Sequence, residues 1–213
     1  PNKACGRPDC HDTVSPQLVA HLVAARLAGD VREVSSAVAD PRLVVVYRST
    51  FDEHGFCDLV PLNTAQPDAM TRHRRAYRKL WLEDLGGFSI PQPRPAAAGR
   101  LAVVDEGLRG LDEIAACAKA GQDLIGRLEV CIRDTSITAA ELGEVSQRLT
   151  DLDSKIEALG FQYGPLESLS RMFIFARENL KGTDPLSLAS QMNRAYQDLE
   201  RRCVRFGSYY LGE

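Results

Sequence analysis

A mainly α-helical fold, α+β overall, follows from three features of the sequence. Apolar residues recur every three or four positions through the C-terminal half, which is the period of one helical face. Two short apolar segments, Leu43–Arg48 and Phe56–Pro61, flank the turn-forming run Asp52-Glu53-His54-Gly55, and this pattern reads as a β-hairpin. The stretch from Gly86 to Gly99 carries Pro91, Pro93 and Pro95 at alternate positions, where each proline removes a backbone donor and holds its predecessor extended. The predicted arrangement is a small N-terminal module of helices and a hairpin over residues 1–86, a Pro-rich linker over 87–99, and an antiparallel four-helix bundle over 100–213. A chain of 213 residues that is 44% hydrophobic can bury such a core.

In the N-terminal module, Ser15-Pro16 supplies a helix cap and a first-turn proline. Leu18, Val19, Leu22, Val23 and Leu27 then form an apolar stripe that stops at Gly29, so a helix is expected over 16–28. Asp30 and Glu33 resemble a capping pair for a shorter helix through Val34 and Val38, ended by Asp40-Pro41. After the hairpin, Pro67 opens another helix to about Leu85, carrying Met70, Tyr77, Leu80, Trp81 and Leu85.

The C-terminal half begins with Val104, Leu108, Leu111, Ala115, Ala118, Ile125, Leu128 and Ile132 at helical spacing. Gly107, Gly110, Gly121 and Gly126 interrupt that segment. Each costs about 1 kcal/mol of helix propensity relative to Ala, which points to a closely packed neighbour. Thr138-Ala139-Ala140-Glu141 is a capping box, and Leu142, Val145, Leu149, Leu152, Ile156 and Leu159 continue as an unbroken seam to Gly160. A third helix is expected from Pro165 to near Gly182, and a fourth from Asp184-Pro185 to Gly207. Their short connections force antiparallel neighbours.

Charge and composition exclude some function classes. A net charge of −3 and a pI near 5.9 argue against coating nucleic acid or an anionic membrane through the global field. No window approaches the roughly 18 apolar residues of a spanning helix. The first residues, Pro1-Asn2-Lys3-Ala4-Cys5, lack the apolar run of a signal peptide, and a cytoplasmic location is expected. Of six cysteines, Cys117, Cys131 and Cys203 sit in helical patterns as small hydrophobes, so a disulfide framework is not expected.

Three groups of residues are candidates for binding. Cys5-Gly6-Arg7-Pro8-Asp9-Cys10 could present two thiolates across a short turn, and His54 with Cys57 would complete a tetrahedral, structural zinc site. The alternative is free thiols, a solvated histidine and a core cysteine. Arg72, Arg74, Arg75, Arg78 and Lys79 place five positive charges within eight residues, beside Tyr77 and Trp81. They would grip phosphates, or form a face that pairs with Asp68, Glu83 or Asp84. The aromatics are expected to point inward and the cations outward. Ser208-Tyr209-Tyr210-Leu211 extends past the last expected helix, with Tyr209 and Tyr210 offered to a partner or packed back on the bundle.

No nucleophile elbow, phosphate loop, dinucleotide fingerprint or zincin motif occurs. The expected function is therefore a non-catalytic protein–protein interaction or scaffold subunit, with a protein partner or a second copy of the chain. One alternative is a zinc-stabilised nucleic-acid-binding protein using residues 72–79. Another is an enzyme built on His11, Asp12, His54 or Cys57 without a recognisable motif.

Overall fold

The computed structural model describes residues 14–29, 34, 39–40, 42–52, 54–64, 69–91, 106–134 and 138–212. The chain divides into two compact units, Pro1–Arg72 and His73–Glu213. Helices dominate, with a single two-stranded hairpin among the described residues.

In the first unit, α1 spans Pro16–Ala28. The Ser15 side chain accepts from the Leu18 N–H at 3.1 Å, satisfying a donor that the first helical turn leaves open. The shorter helix expected after Asp30 falls mostly outside the described residues. Val34, which lies within it, is not helical and instead donates its N–H to Leu62 O at 2.9 Å. Strand β1 is Tyr47–Phe51 and β2 is Cys57–Pro61, antiparallel with Tyr47 opposite Pro61 and Phe51 opposite Cys57. The hairpin is as expected, except that its first strand starts at Tyr47 rather than Leu43. The reason is the buried Asn63: its amide accepts from Val46 N–H and donates to the carbonyls of Ala39 and Val44. The Asn63 side chain, together with the Leu62 N–H that donates to Val46 O at 2.8 Å, thereby satisfies the backbone just before β1.

Helix α2, Ala69–Gly86, crosses the boundary between the units. Gly87 at φ +66° ends it, a left-handed conformation that glycine adopts without steric cost, and Phe88 N–H closes back on Leu82 O at 3.1 Å. Most of the Pro-rich linker, residues 92–99, lies outside the described residues.

The second unit continues with α3 (Glu106–Arg133), α4 (Ala139–Gln162), a 3-10 turn (Gly164–Leu166), α5 (Glu167–Glu178) and α6 (Pro185–Leu211). The capping box forms in both directions between Thr138 and Glu141. Along the α4 seam, Val145, Leu149, Ile156 and Leu159 are buried, Leu152 is half-buried and Leu142 is exposed. The third helix differs from expectation at both ends: Pro165 sits in the 3-10 turn, and the helix stops at Glu178.

Two glycines of α3 explain their own cost. A Cβ on Gly110 would lie 2.3 Å from the Tyr163 ring, and one on Gly121 would lie 2.3 Å from the Tyr196 ring. The predicted close neighbours are therefore aromatic side chains received by α3. Gly126 faces open space, and no packing reason for it exists. The core also holds Ala76 and Leu80 of α2. Among the described residues, five helices thus share the interior of this unit.

Candidate interaction surfaces

The small core of the first unit consists of Leu18, Val34, Ala39 and Leu62, with Leu22, Val44 and Val46 packed against it. Helix α1 contributes Leu18, and half-buries Leu22 and Ala25. At 100° per residue, Val19, Ala20, Val23, Ala24 and Leu27 fall on a separate arc about 140° wide. All five are exposed, with Val19 at 48%, Val23 at 54% and Leu27 at 85%. The expected apolar stripe is therefore split between two faces, and the hydrophobic residues of α1 point both inward and outward. Gln17, His21 and Arg26 are the polar side chains of this helix, and none lies inside that arc.

Asp52 ties the hairpin turn together. Asp52 Oδ1 accepts from the backbone N–H groups of His54 and Phe56, each at 2.9 Å, and Gly55 takes φ +79°. Phe51 and Phe56 on either side of the turn are exposed. His54 is half-buried and Cys57 is an exposed free thiol. Cys5 and Cys10, the other proposed zinc ligands, lie outside the described residues, as does His11. Among the described residues, no three His, Cys, Asp or Glu side chains are grouped to hold a metal.

The cationic residues of α2 do not stand clear in solvent. Arg72, Arg74, Arg75, Arg78 and Lys79 are all half-buried and engaged by neighbouring groups, and Lys79 Nζ lies 6.0 Å from the centre of the Tyr209 ring. Glu83 and Asp84 reach α6. Asp84, 3% exposed at its side chain, accepts from Arg201 Nη1 at 2.7 Å and from Arg202 Nε, while Glu83 pairs with Arg205 Nη2 at 3.4 Å. Burial pushes the Asp84 carboxyl up, but its two arginines outweigh that and hold it below the usual carboxylate value.

The aromatics of α2 point inward as expected. Tyr77 stacks on Trp81 and lies 4.5 Å, ring centre to ring centre, from Phe206, and its hydroxyl donates to Pro165 O at 2.6 Å. His73 lies 4.5 Å from the Tyr210 ring. Tyr209 and Tyr210 are not a projecting tail. Helix α6 runs on to Leu211, past the Gly207 end expected from sequence, because both rings find apolar cover inside the unit. Tyr209 donates to Glu83 Oε2 at 3.1 Å, and burial with that hydrogen bond pushes its phenol up to about 12. The pair therefore packs back on its own unit.

A polar cluster that the sequence does not announce joins α4, α5 and α6. Arg177 binds Asp153 at 2.8 Å, and the buried Tyr196 donates its hydroxyl to the same carboxylate. Its groups satisfy one another, which fits a structural pin. The outward face of α1 was the more legible omission: nearly every position of 16–28 is apolar, where a single buried face needs only one stripe. No family model, no curated protein and no solved structure matches the chain.

Proposed function

We propose that the chain is a protein–protein interaction subunit whose first unit presents the outward face of α1 to a protein partner or to a second copy. The observation that carries this reading is the exposure of Val19, Val23 and Leu27 on a helix whose opposite face is already committed to its own core. A helix that is apolar on both sides keeps one of them in water at a cost of about 25 cal/mol per Å², and contiguous patches of that kind mark interaction sites. Phe51 and Phe56 on either side of the hairpin turn add exposed apolar surface to the same unit. The helical unit, with its close glycine contacts and buried polar pin, serves as the stiff body.

The test compares the wild-type chain with a Val23→Asp, Leu27→Asp double variant. Both positions are exposed, so circular dichroism and thermal melting should hardly change. Self-association measured by sedimentation, or capture of a defined protein set from the native extract, should be lost in the variant. Identical oligomeric state and identical captured proteins would sink the reading.

A further inference from the structure

The outward face of α1 has a relief as well as an apolar character. Val19, Val23 and Leu27 follow one another at intervals of four, and Ala20, Ala24 and Ala28 do the same one position further on. All six are exposed. Rows at that interval are the ridges by which helices pack, so the larger side chains form a ridge and the alanines beside them a groove.

A surface that carries both a ridge and a matching groove is complementary to itself. Turning a second copy about a two-fold axis that passes between residues 23 and 24 sets Val19 against Ala28, Val23 against Ala24 and Leu27 against Ala20. Each large side chain then faces a small one, and does so in both directions at once, as a two-fold interface requires. Charge agrees with that pairing. Helix α1 has no acidic residue, and Arg26, its one Arg or Lys, comes opposite His21 of the other copy rather than opposite Arg26. The face itself holds no charge that would select an oppositely charged partner.

We propose, on the reading that this face is an interaction surface, that what covers it is a second copy of the chain, its α1 docked antiparallel with ridge in groove. A helix of 13 residues is about 20 Å long. One face of it falls short of the roughly 800 Å² per partner that a stable interface buries, so the pair dissociates on dilution.

Sedimentation equilibrium of the full chain over a wide concentration range should show a reversible monomer–dimer equilibrium. Ala24→Leu fills the groove at an exposed position where leucine is a good helix former. It should raise the dissociation constant at least about tenfold, because large then meets large. Adding Val23→Ala to the same chain exchanges ridge and groove and should return the constant toward the wild-type value, with circular dichroism unchanged throughout. A monomer at every concentration overturns the proposal. If the Val23→Asp, Leu27→Asp variant then still loses a captured protein, the face remains an interaction surface with a different occupant. A dimer indifferent to Ala24→Leu, or one that Val23→Ala fails to restore, has its contact elsewhere or in another register and equally overturns the proposal.

Discussion

Glycines at positions 121 and 126 lie in the same helix and make opposite predictions. Both Gly→Ala changes raise intrinsic helix propensity by about 1 kcal/mol. At Gly126 nothing lies within 4 Å of the new Cβ, so Gly126→Ala should stabilise the chain by about 0.5 to 1 kcal/mol in a denaturant titration. At Gly121 the Tyr196 ring lies 2.3 Å away, and overpacking should make Gly121→Ala a net loss of about 1 to 3 kcal/mol. The sequence signals that these glycines are costly but not which of them is compensated, because the compensating ring comes from a residue 75 positions downstream. Asp84 makes a second prediction at this scale. Its carboxyl is held below the ordinary value in the folded chain, so its contribution is complete above the usual carboxylate range and is lost as pH falls through the depressed value. Trp81, the single tryptophan, sits one turn away on the same helix and reports this. Its fluorescence should shift on acidification in the wild type, and Asp84→Asn should already show the acid-side signal near neutrality.

At the scale of elements, helices with caps and one buried face are legible. The Ser15 cap, the Thr138–Glu141 box and the α4 seam from Val145 to Leu159 occur where the spacing puts them, while Leu142 stands exposed. Accordingly Ile156→Ala, in a fully buried seam position, should cost about 2 to 5 kcal/mol. Leu142→Ala, at the exposed start of the same seam, should cost under about 0.5 kcal/mol. Element ends are less legible where tertiary contacts decide them. Helix α6 passes Gly207 because Tyr209 and Tyr210 find cover, and only a fold can reveal that cover. The charged run of α2 is less legible for a related reason. Counting arginines suggests a solvated face or a phosphate grip, and does not reveal that Tyr77 and the two acids after the run reach α6.

At the scale of the whole molecule, the Pro-rich stretch suggests a boundary that the packing does not follow, since α2 from His73 onward groups with the bundle. A fragment of residues 100–213 lacks Ala76, Tyr77 and Leu80, and leaves Phe206, Tyr209 and Tyr210 without their α2 cover. It should melt at a lower temperature and bind a hydrophobic dye, whereas a fragment of residues 69–213 should do neither. The claim that matters most is that the outward face of α1 is covered by protein in use. Reactivity of a cysteine placed there measures this directly, when labelling is read at position 23 by peptide mass mapping so that the exposed Cys57 and the other native thiols do not contribute: Val23→Cys should react rapidly with a maleimide in the dilute purified chain, and much more slowly in the native extract or at a concentration where copies associate. Equal, rapid labelling of position 23 under all three conditions would contradict the account.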